Sequence, residues 1–206
     1  LSKRDLPLSG FVMLYTLFTM LFSGGMIPKY VVVKNLGLVE ARRTAVLEAS
    51  APFIYILDSD DTLLPEGLEI LYKVQKESGA DIVQGLAQIC ENGKIIENHQ
   101  KAINKITEGE ISGKEILENW LGKSGNSSYL IGKLFSRDLY QKAFSEIPFL
   151  ECTMNEEIAQ YFFLAHFAKK YCGIKEPVFN YNIDSGITSR TKVDNLERWK
   201  KVCSAA

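Results

Sequence analysis

A run of five apolar, β-favouring residues, Phe53-Ile54-Tyr55-Ile56-Leu57, stops without transition at Asp58-Ser59-Asp60-Asp61. No other feature of the chain limits its fold as tightly. A short continuous run of this composition fits a strand buried on both faces, as strands are in α/β sheets covered by helices. In open sheets of that class, ligands bind beyond the carboxyl ends of the strands, and the three aspartates fall there. Carboxylates crowded together repel one another unless a cation lies between them. Hard divalent ions such as Mn²⁺ or Mg²⁺ take oxygen ligands, commonly one or two carboxylates plus substrate phosphates. The plainer alternative is a group of acids favouring the start of the next helix. Both readings stand at this point.

The flanking segments agree with the α/β class. Leu38, Ala41, Ala45, Val46 and Ala49 recur at helical spacing, with Glu40, Arg42, Arg43 and Glu48 between them, and Pro52 ends that helix. After the acids, Thr62 and Pro65 stand where an N-cap and an early helical position would be. Leu68, Leu71, Tyr72 and Gln75 follow on one face, and Gly79 closes the helix. Residues 80–89 read as a second strand, and Asn92-Gly93 as a hairpin turn. Ser112 and Glu115 have capping-box spacing ahead of Ile116, Leu117 and Trp120. Residues 129–135 read as extended, and Ser136 as the cap of a helix through Phe144. Asn155 opens the longest helical candidate, residues 156–171, ended by Gly173. Residues 177–181 are the last strand. Helix, buried strand, helix, strand is the α/β order.

Composition removes several functions. A net charge of -1 gives no basic surface for a nucleic-acid partner. The four cysteines form no CxxC pair, which argues against a zinc ribbon or a disulfide scaffold and fits a reducing, cytoplasmic compartment. Two histidines supply a His-based metal site or a Ser-His-Asp triad poorly. Apolarity concentrates in residues 10–33, which hold no acidic residue. The run 11–22 is shorter than the roughly 20 residues of a membrane-spanning helix. Extended to residue 33 it becomes long enough, although Pro28 and Lys29 interrupt it. Membrane association through this segment and a buried soluble helix are both open. The expected division is an apolar helical segment, residues 1–34, followed by an α/β domain, residues 35–206.

The words around the acids carry more. Asn35-Leu36-Gly37, Ala41-Arg42, then Tyr55-Ile56-Leu57-Asp58-Ser59-Asp60-Asp61, Leu64-Pro65 and Leu68 resemble the middle of family-2 glycosyltransferases. Ala80-Asp81-Ile82-Val83 is similar to that family's next strand, and Gly132-Lys133-Leu134-Phe135 with Arg137-Asp138-Leu139 to its "KLF" segment. Asn180-Tyr181-Asn182 and Ser185-Gly186-Ile187-Thr188 resemble its closing strand and tail. The ordered set covers about three quarters of the chain. The resemblance implies a GT-A fold, a nucleotide-diphosphate sugar donor, a divalent metal (Mn²⁺ or Mg²⁺), and a glycan or lipid-linked acceptor. It makes Asp60 the metal ligand, with Asp58 binding the donor's ribose or assisting the metal and Asp61 on the donor side. Arg42 is either near the donor or a solvated helix arginine. Lys133 either faces the diphosphate or acceptor or lies on the surface. Inverting transfer needs a carboxylate that removes the acceptor hydroxyl's proton. In the family this is the Asp of a Glu-Asp pair opening a helix that runs to Ala-Lys-Lys. Counting back from Ala168-Lys169-Lys170 makes Glu157 that base, a Glu where Asp is usual.

The front departs from the family. Its first strands, and the Asp-Asp-Gly-Ser-like segment that binds the donor's nucleoside, have no counterpart ahead of Asn35. Residues 2–38 instead resemble a helix and loop of carbohydrate ABC transporter permeases, and the two resemblances meet at Asn35-Leu36-Gly37-Leu38. Joining at short homology leaves such an overlap, so a chimeric chain with an incomplete GT-A domain, an open edge at the 53–57 strand and impaired transfer is expected. A non-catalytic GT-A-like remnant and a permease fragment are the competing readings.

Overall fold

The computed structural model describes residues 16–17, 29–30, 37–96, 102–123, 125–149 and 156–183. Ahead of the main domain, β1 (Thr16–Leu17) pairs antiparallel with β2 (Lys29–Tyr30). The apolar helix expected over 10–33 otherwise lies outside the described residues. Among the described residues no helix is long and apolar enough to cross a membrane.

The main domain begins with α1 (Leu38–Glu48), which buries Val39, Ala41, Ala45 and Val46. The acid-bearing run follows as β3 (Phe53–Tyr55), with Ile54, Tyr55 and Ile56 buried in succession, as a strand covered on both faces requires. Next come β4 (Thr62–Leu63), α2 (Gly67–Ser78), β5 (Ile82–Glu91) and β6 (Lys94–Ile95). Asn92 and Gly93, at φ 51° and 73°, make the two-residue turn between β5 and β6, as their sequence anticipates. Then follow β7 (Gly109–Ser112), α3 (Lys114–Glu118), β8 (Lys133–Ser136), α4 (Arg137–Glu146), α5 (Glu156–Phe167) and β9 (Lys170–Asn182).

The sheet has seven strands in the order β3-β8-β5-β9-β4, with β6 added to β5 and β7 to β9. Of these pairings only β5 with β9 is parallel, and its register shifts between Gln84 and Ala87. β9 is shared along its length. Residues 170–173 pair with β7, and Phe179 and Asn180 pair with β4. The core continues under the sheet through α4, where Tyr140 stacks on Phe144 at 5.2 Å and meets Phe135 at 5.0 Å. β3 pairs with β8 on one side and has no second neighbouring strand among the described residues. Among the described strands β3 therefore lies at an edge of the sheet, as expected, and Ile56 adds a bridge to Ile131.

Three expectations are corrected. Thr62 is a strand residue rather than a helix cap: it pairs with Asn180, and the helix starts at Gly67 behind Glu66. Ser112 does not cap α3, because its backbone is committed to Lys170 across the sheet and Gly113, at φ 58°, makes the turn. The long helix ends at Phe167, so Lys170 and Tyr171 belong to β9. The Asp81 carboxylate accepts from Lys169 N at 2.7 Å and from Lys170 N at 3.3 Å, drawing the chain out of the helix and into the sheet. Ser136 caps α4 as anticipated, its Oγ accepting from Leu139 N.

Gly67 is where α2 presses on β9. A Cβ there would lie 2.1 Å from the Val178 carbonyl oxygen, a backbone atom with no rotamer to yield. Gly67→Ala is therefore expected to cost about 1–3 kcal/mol as overpacking, read as a lowered urea midpoint at unchanged slope.

Candidate active site

The chain leaves β3 with its backbone already turning: Asp61 N donates to the Asp58 carbonyl at 3.1 Å. The turn gathers carboxylate oxygens of Asp58, Asp60 and Asp61 within 4.8 Å of one another. The far end of β9 closes it. Asn182 N donates to Asp61 Oδ1 at 3.0 Å, and Asn182 Nδ2 donates to the Asp60 carbonyl at 2.6 Å. Asp61 Oδ2 is buried and meets no protein donor. Burial raises the Asp61 carboxyl to about 7, against the Asn182 N–H and reinforced by Asp60 and Asp58. Burial also raises Asp58, opposed by Arg42 and assisted by Asp60 and Glu156. Crowding of this kind, with an enclosed oxygen lacking a donor, suits a hard divalent cation.

Arg42 is not the solvated arginine of one sequence reading. It is 6% exposed, with Nη2 3.8 Å from Asp58 and Nη1 donating to Glu156 Oε1 at 3.3 Å. One guanidinium thus ties α1, the turn after β3 and the first turn of α5 together. Glu157, the next residue of α5, is partly buried. Burial lifts its carboxyl above the usual range, Glu156 and Asp58 add to the rise, and Arg42 opposes it. The acid corner and the acidic pair of α5 therefore share one electrostatic neighbourhood.

Lys133 is not a surface lysine. It is fully buried, and its Nζ donates to Ser127 Oγ at 2.9 Å and to the Tyr129 carbonyl. Desolvation holds its amine well below the ordinary lysine value. In this arrangement the group lies inside the domain, bonded to the loop ahead of β8.

Sequence reasoning did not assign site roles to Glu156, Asn182, Tyr129 or Tyr181. Burial raises the Tyr181 phenol to about 12, with Tyr129 and the three aspartates contributing. Glu156 was legible as one of two acids, but adjacent helical positions point about 100° apart, and only packing shows which one meets Arg42. The other three come from segments remote in sequence, and no local spacing links them to the aspartates.

A mixed sheet flanked by helices, with acids just past the end of a buried strand, is the nucleotide-diphospho-sugar transferase fold of the GT-A kind. The family model described as Glycosyl transferase family 2 matches residues 24–144, more than half of the chain, and the chain belongs to that family. The crystal structure of S. aureus TarS 1-349 is similar at TM-score 0.52 and 18% identity, over 71% of this chain and 40% of that one. TarS 1-349 in complex with UDP-GlcNAc gives 0.53 at 15% identity, over 76% and 42%. A permease protein of the polygalacturonan/rhamnogalacturonan transport system, YtcP of Bacillus subtilis (strain 168), is 41% identical over 76 residues. That match covers 36% of this chain and 27% of YtcP. Protein LplC of the same organism is 40% identical over 76 residues, covering 36% and 26%. The chain thus spans less than half of the TarS chain and about a quarter of either transport protein.

Lys133 makes a testable pH difference. Its folded value is depressed, so between that value and about 10.4 the unfolded chain binds the extra proton and stability rises with pH. Subtracting the urea-unfolding free energy of Lys133→Met from that of the parent should give a difference climbing through the alkaline range. A flat difference would mean the amine is not depressed.

Proposed function

We propose that this chain transfers a sugar from a nucleotide-diphosphate donor to an acceptor hydroxyl with inversion, using Asp58, Asp60 and Asp61 at the donor and Glu157 as base. The supporting observation is the convergence of three carboxylates within 4.8 Å beyond a buried strand, one oxygen enclosed without a protein donor. Asp60 and Asp58 would hold Mn²⁺ or Mg²⁺, which when bound neutralises the diphosphate and improves it as a leaving group. Asp61, fixed by Asn182, sets the shape of that corner. Arg42 restrains Asp58 and Glu156 on the donor side. Glu157 takes the acceptor hydroxyl's proton as the oxygen bonds to the anomeric carbon and the bond to the diphosphate breaks. A carboxyl raised by burial is the better base near neutral pH.

TarS structures hold UDP-GlcNAc and UDP, so a UDP-sugar is the donor to test first. A glycan or lipid-linked acceptor, met in the cytoplasm or at the cytoplasmic membrane face, completes the reading. We expect slow transfer, because the words ahead of Asn35 are those of a permease rather than of a nucleoside pocket. The identity to YtcP, over 76 residues and so longer than the stretch ahead of Asn35, favours a second reading, a transport-protein segment joined to the enzyme domain.

Calorimetric titration of UDP into the chain with Mn²⁺ tests the core of this. Asp60→Asn should weaken Mn²⁺-dependent UDP binding on the order of tenfold or more. Glu157→Gln should leave UDP binding unchanged and slow transfer by about 10²–10⁴. UDP binding indifferent both to Mn²⁺ and to Asp60 would sink the reading.

A further inference from the structure

Helix α5 is apolar on its outside as well as its inside. Gln160, Tyr161, Leu164 and Ala165 face the core. Ile158, Phe162 and His166 follow one another by a turn on the opposite side and are exposed, Ile158 at 48% and Phe162 at 39%. The Phe162 ring lies parallel to that of His166 at 6.3 Å and edge-on to Phe163 at 5.5 Å, and Phe163 leads on to Phe167 at 6.4 Å. Exposed apolar residues scattered singly are ordinary, whereas a continuous aromatic stripe along a helix marks a surface that takes a partner.

The chain holds a segment of matching character. Residues 184–206 lie outside the described residues and follow Ile183. Thr191 and Asp194 have capping-box spacing. Val193, Leu196, Trp199, Val202 and Cys203 recur at helical spacing, and on a helix they fall within about one half of the circumference. Asp194, Glu197, Arg198 and Lys201 occupy the other half. A helix of this length is marginal alone in water and needs a surface on which to bury its stripe.

The stripe of α5 is within its reach. Ile183 N donates to the Cys90 carbonyl at 3.0 Å, while Asn182 holds Asp60 and Asp61. Helix α5 starts at the same corner, where Glu156 meets the guanidinium that meets Asp58. The stretch from Ile183 to Val193 can extend about 33 Å, and α5 is about 18 Å long. Charge favours the near end of α5. Residues 190–201 hold five basic side chains against two acidic. The near end carries Glu156 and Glu157, and at the far end Lys142 Nζ sits 4.5 Å from the centre of the Phe167 ring.

We propose that residues 192–203 form an amphipathic helix that docks on the outer face of α5, laying Leu196, Trp199 and Cys203 over Ile158, Phe162 and His166. The helix that carries Glu156 and Glu157 is then packed on both faces. This docking does not depend on the transfer reading above.

The full chain has two tryptophans, Trp120 and Trp199. Labelled with 5-fluorotryptophan it gives two fluorine resonances, assigned by the one lost in Trp199→Phe. Trp120 packs edge-on against Tyr161 at 5.2 Å and so reports the fold of the domain. In the parent, the Trp199 resonance should stand apart from its position in the urea-unfolded chain. Phe162→Ser and Ile158→Ser should each move Trp199 toward that unfolded position and leave Trp120 in place. If Trp120 shows that Phe162→Ser does not fold, Ile158→Ser carries the test. A Trp199 resonance already at the unfolded position in the parent, or one indifferent to the substitutions in folded chains, overturns the proposal. So does a resonance that moves on dilution, which assigns the stripe to a second copy of the chain. A resonance that leaves the unfolded position only when anionic vesicles are added overturns it as well, and assigns the segment to a membrane surface.

Discussion

One buried guanidinium organises the functional end of this domain. Arg42 reaches from α1 to Asp58 and Glu156, and without it those carboxylates would face one another across a poorly solvated gap. Removing the cation from a buried pair leaves uncompensated charge, which is far costlier than the pair's own net contribution. The position of α5, and with it Glu157, is therefore coupled to the turn after β3. The acid-bearing turn and the first turn of α5 are linked through Arg42 as well as by the sheet.

The same charge balance, together with burial, bears on the carboxyls of the turn. Asp58 and Asp61 are both raised, and one guanidinium engaged by Asp58 and Glu156 does not offset Asp60 and Asp61 as well. The Asn182 N–H and side-chain amide add dipoles but no charge. A divalent ion would complete the balance, and an all-oxygen donor set is what Mn²⁺ and Mg²⁺ accept.

The parts of this fold that were legible in sequence are those governed by local chemistry. The buried strand ending in aspartates, the Asn92-Gly93 turn, the Ser136 cap and the helix at residues 38–48 all follow from neighbours in the chain. What was not legible depends on partners far away. Thr62 becomes strand because Asn180 pairs with it, and residues 169–170 leave the helix because Asp81 accepts their amides. At the site, Asp58, Asp60 and Asp61 were found together as their spacing implied, while the burial of Arg42 and Lys133 reversed the solvent-exposed alternatives. Side-chain burial is set by the layers above and below, which no run of sequence displays.

β9 has a temporal consequence. It forms the only parallel ladder of the sheet among the described strands, and its last residue, Asn182, secures an aspartate 121 positions earlier. Contacts of such sequence separation form late, since the entropy of closing the intervening loop precedes any reward. On the ribosome, β3 and its acids emerge long before the strand that shields them. The nascent domain must therefore keep an apolar strand and a cluster of like charges exposed until almost all of its sheet has been made, the interval in which a chaperone or a wrong partner finds it.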